Sequence, residues 1–265
     1  MSITHRSILQ QLAGGDLVDA IERDVKHCVR RARSGPDPAA HSQATIGEGV
    51  VDTLLTRWHH ILDSDDTVAT PLYRHTTALA LATALHQQGI QSAALTANAL
   101  VAIKALNKAV ALSDHFYRKS PDIARLLRSA PVMPARRPGL QKSLTRWRAG
   151  DVASMQVDDH YHALYVLEIS EGAPIVEFYD YLGRTPPTMA QLANVPARGT
   201  LGNPQERYLD RRALYGLVHQ PDPANQFVLL ASGTDGPDTT HLLRGEGLET
   251  ITDVFRMIEH LRACL

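Results

Sequence analysis

The pattern of apolar and polar positions changes period once along the chain, and that change organises everything else. From Asp16 the apolar positions Leu17, Val18, Ile21, Val25, Cys28, Val29 and Ala32 recur at helical spacing, and Gly35 stops the run. Ile46, Val50, Val51, Leu54, Leu55, Trp58, Ile61 and Leu62 repeat the pattern and end in the acidic run Asp63-Ser64-Asp65-Asp66. A third helix is predicted from Pro71 to Gln88, closed by Gly89; it is apolar on most sides, so it belongs at the centre of a bundle. A fourth is predicted over Ser92–Tyr117 and a short fifth over Pro121–Ser129.

Beyond this the spacing shortens to two. Asp151–Val157, His160–Ser170 and Pro174–Tyr181 read as a three-strand meander with turns at Asp158-Asp159 and Glu171-Gly172. Gly183–Glu206, rich in Pro, Gly and Thr, reads as a long loop with one helical turn at Met189–Ala193. Further strands are predicted at Ala213–His219, Phe227–Ser232 and Thr239–Leu243, and a closing amphipathic helix over Leu248–Ala263. The expected architecture is α+β: an N-terminal α-helical bundle, then a small, strongly curved antiparallel β-sheet or barrel with a C-terminal helix. Between the halves, Ala130–Gly139 holds three prolines and a glycine. The expected division is therefore a helical domain over 1–130, a proline-rich linker over 131–140 and a β-rich domain over 141–265.

Charge supports that division. The 265 residues balance to a net −1, but residues 1–140 hold 16 Lys and Arg against 12 Asp and Glu, and residues 141–265 hold 11 against 16. Near-neutrality is a cancellation of +4 and −5. The overall balance gives no reason to expect nucleic-acid binding. Arg30-Arg31-Ala32-Arg33 and Arg136-Arg137 lack the interleaved aromatic residues of single-strand binders. No apolar run is long enough for a membrane helix, and the opening Met1–Arg6 lacks the apolar core of a secretory signal, so a cytoplasmic location is expected. Two cysteines, Cys28 and Cys264, do not make a disulfide scaffold. Cys28, on the apolar face of its helix, reads as a buried inert thiol.

The common local signatures of catalysis are missing: no Gly-x-Ser-x-Gly, no phosphate loop, no Gly-x-Gly-x-x-Gly, no His-Glu-x-x-His. A non-enzymatic protein without cofactor is expected. Among 13 histidines, His160 and His162 stand two apart on a strand and so share one face. With Glu168, and with His219 elsewhere, they make an alternative reading: a two-His, one-carboxylate metal site in a cupin-like β-barrel enzyme. The plain alternative is partly exposed strand residues near a turn. His59 and His60, adjacent on a helix, point about 100° apart and do not chelate one ion together. Asp158, Asp159, Tyr161, Tyr179, Asp180 and Tyr181 form an acidic and aromatic set suited to a basic protein surface; the plain alternative is ordinary strand decoration with a core tyrosine.

Arg148-Ala149-Gly150-Asp151-Val152-Ala153, then Asp159–Glu168, then Ile175-Val176-Glu177-Phe178-Tyr179-Asp180, and the helix around Val254–Leu261, together resemble the small SH3-like-barrel immunity proteins that accompany bacterial polymorphic toxins. The resemblance spans residues 148–261 and leaves the helical half unaccounted for. It implies function by binding a cognate protein toxin, with Asp158, Asp159, Tyr161, Tyr179, Asp180 and Tyr181 as partner-binding residues. The helical half is then expected to enlarge the interface or to mediate homodimerisation.

Overall fold

A computed structural model describes residues 3–12, 14–34, 43–139, 143–203, 206–243 and 250–263. Contacts divide the chain into two compact units, Met1–Gln141 and Lys142–Leu265.

The first unit is built around one buried helix. Its elements are α1 (His5–Leu12), α2 (Leu17–Ala32), α3 (Gln43–Leu62), α4 (Pro71–Gln87), α5 (Ala93–Lys108) and α6 (Asp114–Arg128). Every residue of α4 from Thr77 to His86 is buried, and the other five helices all touch it. Thr70 starts α4 by accepting a hydrogen bond from Tyr73 N–H, with Pro71 preset for the first turn. Gly89 ends it at φ +81°, where a Cβ would also strike the backbone of Met133. The proline-rich stretch thus packs back on this unit, and Pro134 C=O accepts from Arg33 at 3.1 Å. The expected fourth helix is interrupted: Val110 takes φ +48°, and Ser113 caps a new helix by accepting from Phe116 N–H. Pro121 consequently lies inside α6, not at its start. Among the described residues no helix is long and apolar enough to cross a membrane.

The second unit contains β1 (Val152–Val157), β2 (His160–Ser170), β3 (Ala173–Phe178), α7 (Met189–Leu192), β4 (Gly199–Asn203), β5 (Glu206–Leu209), β6 (Arg211–Tyr215), β7 (Phe227–Ala231), β8 (Thr250–Asp253) and α8 (Val254–Ala263). Six strands form one sheet in the order β7-β1-β2-β3-β6-β8, while β4 and β5 make a separate hairpin. This corrects the expected strongly curved antiparallel barrel. Among the described residues the sheet is open, because its edges β7 and β8 do not pair, and it is mixed, because β8 runs parallel to β6. Three further differences have local causes. The expected loop 183–206 contains β4 and the first residue of β5. Thr239–Leu243 joins only by a bridge at Leu243. The β-branched run Thr250-Ile251-Thr252 extends as β8, and the helix waits for Asp253, whose Oδ1 accepts from Phe255 and Arg256 N–H.

Register assigns the sheet two faces, since directly opposed residues point the same way. Met155 and Val157 lie opposite His162 and His160; Leu164, Phe178, Val176 and Arg212 continue that face. Helix α8 lies over it, its His260 meeting Arg212. The other face carries a second core of Val152, Ala163, Tyr179 and Leu192, with Tyr165, Tyr181 and Met189 packed against it.

Candidate functional site

The acidic turn and the start of β2 meet the segment that leaves β3. Asp158 sits at φ +51° and its carboxylate accepts from Arg262 of α8, at 2.8 Å from Nε and again from Nη2. Asp159 is exposed, with only the exposed Arg184 guanidinium 3.7 Å away. Tyr161 and Gly183 exchange backbone hydrogen bonds of 2.8 and 3.1 Å. Leu164 lies opposite Phe178, so four residues, 179–182, answer only two on β2 and must bulge.

The bulge sorts its side chains. Tyr179 turns inward and is 4% exposed, a core residue and no part of a free surface, which corrects its expected place among the partner-contacting residues. Asp180 is exposed, with its N–H held by Pro196 C=O at 2.8 Å. Tyr181 is half-buried; its hydroxyl donates to Thr185 C=O at 3.0 Å, and its ring lies over Gly183, filling the space a Cβ would need. Leu182 is 52% exposed. The turn thus presents a pinned aromatic ring and an aliphatic side chain beside Asp159 and Asp180.

Beneath α8 the same end of the sheet buries a polar cluster. His162 is 1% exposed, and neither ring nitrogen has a hydrogen-bond partner among the described residues. Burial, with help from the charges of Arg198, His160 and His260, pushes its pKa down to about 4, so the ring is neutral. Arg198 lies 4.5 Å over the Phe178 ring and 3.8 Å from Asp210. Asp210 accepts from Arg212 Nε at 2.7 Å and meets His260 Nε2 at 3.2 Å. Burial pushes the Asp210 carboxyl up, but the His260 hydrogen bond and the Arg212 and Arg198 charges outweigh it and hold its pKa low. One carboxylate therefore fastens α8, β6 and the segment before β4 together. Asp210, Arg212 and His260 pair with one another, Arg198 approaches Asp210, and His162 is sealed from solvent.

The alternative metal set is not assembled. His160 and His162 do share a face, but Glu168 stands six residues further along β2, about 20 Å away. A bulge between Val166 and Glu168 also turns it to the other face. His219 lies apart, buried by Trp147, whose Nε1 donates to its carbonyl. Among the described residues no three His, Cys, Asp or Glu side chains gather as a metal ion requires. In the helical unit the His59 and His60 ring centres lie 3.9 Å apart with the planes tilted by 40°, and His59 Nδ1 bonds Leu55 C=O. Cys28 is a buried free thiol, and Cys264 lies outside the described residues.

Sequence reasoning singled out none of Arg198, Asp210, Arg212 and His260, because they converge from three separate segments. The one local signal was Asp210-Arg211-Arg212 between apolar strand residues, which must turn a charge inward whichever face is buried. Compared with protein-family models, curated proteins and solved structures, the chain matches none.

Proposed function

We propose that this chain is a non-enzymatic interaction protein of the immunity type, acting in the bacterial cytoplasm by binding and neutralising a cognate secreted toxin. The observation that carries the reading is the surface at the β1–β2 turn. Tyr181, fixed by Thr185 and Gly183, presents contact area that loses little entropy on binding, and Leu182 stands exposed beside it. Asp159 and Asp180 rim this patch, and the acidic balance of residues 141–265 suits a basic partner, because opposite potentials speed association. Asp158 and Tyr161 support the patch from below, through Arg262 and Gly183.

The test is co-expression of the chain with the toxic product of the gene beside its own, and calorimetry of the purified pair. Rescue of growth and stoichiometric binding are expected. Tyr181→Ala should weaken binding at all salt concentrations, and Asp159→Lys or Asp180→Lys chiefly at low salt. Absence of rescue by any neighbouring product, or binding indifferent to all three substitutions, overturns the reading.

A further inference from the structure

The helical unit leaves an apolar surface open where α4 begins and α5 ends. The two helices are joined by the short turn 88–92, so the last turns of α5 lie beside the first turns of α4. Between them is a cleft of about 330 Å³ lined by Pro71, Leu72, His75, Ala105, Leu106 and Lys108. Its border is apolar: Leu72 is 46% and Val101 59% exposed. Val101, Lys104, Ala105 and Lys108 fall on one face of α5 by their spacing of three and four. Leu72 and Val101 thus extend the apolar lining of the cleft onto the open surface, which suits a contact with another protein surface.

The charges beside the cleft indicate what covers it. On the α5 side stand Lys104 and Lys108, neither with a carboxylate partner among the described residues. Arg74 stands about 100° round α4 from the cleft-lining His75 and further from Leu72; it donates to Ala69 C=O at 2.8 Å and to Asp66 at 2.7 Å, fastening the turn 63–70 to the first turn of the helix on that flank. That turn displays Asp63 and Asp65 to solvent, with Val68 exposed behind them. The surface thus has an apolar floor, a basic flank and an acidic flank. A foreign partner of one sign is repelled by one flank. A second copy, turned by a two-fold axis, meets each flank with its opposite, as an isologous contact requires.

We propose that the α4–α5 surface is a two-fold interface through which two copies of this chain associate, cleft against cleft and lysine flank against acidic flank. It stands on the helical unit alone and is independent of the toxin reading.

Sedimentation velocity of the full chain from micromolar to sub-millimolar concentration tests it. Wild type should pass from monomer to dimer. Leu72→Glu and Val101→Glu should each weaken the dimer by at least about tenfold; Val101→Ser, a mild change at an exposed helix position, repeats the test should a glutamate variant fail to fold. Lys104→Glu with Lys108→Glu, and Asp63→Lys with Asp65→Lys, should each be monomeric alone yet form a one-to-one heterodimer when mixed. A wild type that stays monomeric throughout overturns the proposal. So do a dimer indifferent to Leu72 and Val101, and charge-reversed variants that fail to pair on mixing.

Discussion

Asp24 in α2 and His162 in β2 are both ionisable and both buried, and their surroundings treat them in opposite ways. Asp24 accepts from Arg57 Nε and Trp58 Nε1, each at 2.9 Å, both on α3. These are charge-assisted bonds from two adjacent residues, so they fix the register of α2 against α3 as well as satisfying the carboxylate. His162 has no hydrogen-bond partner on either nitrogen among the described residues and stays in the core by remaining neutral. The helical unit uses its buried charge as a fastening. The sheet unit tolerates its buried histidine, and does its fastening one step away, at Asp210.

The largest expected effect follows from breaking the first of these. Asp24→Ala removes the buried acceptor of Arg57 Nε and Trp58 Nε1, and should cost on the order of 3–5 kcal/mol in urea unfolding. Asp24→Leu combined with Arg57→Met should recover most of that, because replacing a buried ion pair by apolar residues of similar size costs far less than removing one of its partners. A single variant within about 1 kcal/mol of wild type would show that Arg57 finds water or another acceptor.

His162 predicts the opposite sign. Its pKa is about 4 in the fold and 6.5 ordinarily, so between those values the unfolded chain takes up a proton that the folded chain refuses. Stability contributed by the neutral ring is therefore complete above about pH 6.5 and lost as pH falls towards 4, by about 3 kcal/mol. In His162→Leu this loss is absent, and two unpaired buried polar atoms are removed. The variant should match or exceed wild type at neutral pH and pull further ahead on acidification. A difference between the two proteins that does not change with pH refutes the assignment of that titration to His162.

The contrast also marks what a sequence discloses. The span of α4 was legible, since Thr70-Pro71 opens a continuous apolar segment and Gly89 closes it. The break at Val110 was not: an aliphatic residue continues the helical period, and only its left-handed φ and the cap at Ser113 end it. Hairpin β4–β5 hid in a Pro- and Gly-rich stretch because a small separate hairpin shows little alternation. The acidic turn came into view because Asp158, Asp159 and Tyr161 are neighbours in the chain. Tyr179 shares their composition, yet strand alternation from Phe178 turns it onto the face packed with Ala163 and Leu192. The cluster of His162, Arg198, Asp210 and His260 depends on strand order and on where α8 lands, which no local pattern carries.

At the turn the expected effects are smaller and discriminate surface from support. Gly183→Ala puts a methyl group where the Tyr181 ring lies and should displace it from Thr185. Affinity for the partner should drop about tenfold, as for loss of an ordered aromatic contact, with folding stability within about 1 kcal/mol. Calorimetry of the complex and thermal unfolding of the free chain separate the two. Unchanged affinity with a displaced ring would remove Tyr181 from the interface.

The smallest effect is expected at Asp158 and Arg262, and its sign is the informative part. Both side chains are partly exposed, so their ion pair contributes no more than about 1 kcal/mol and Arg262→Ala should barely change unfolding. The substitution nonetheless leaves the turn one unit more negative, since Asp158 keeps its charge. A basic partner should then associate faster by about twofold at low salt, with the gain disappearing as salt screens it. Stopped-flow association of Arg262→Ala at two salt concentrations reads this directly. A slower association places Arg262 itself against the partner, and no change at either concentration means that the turn does not face a basic surface.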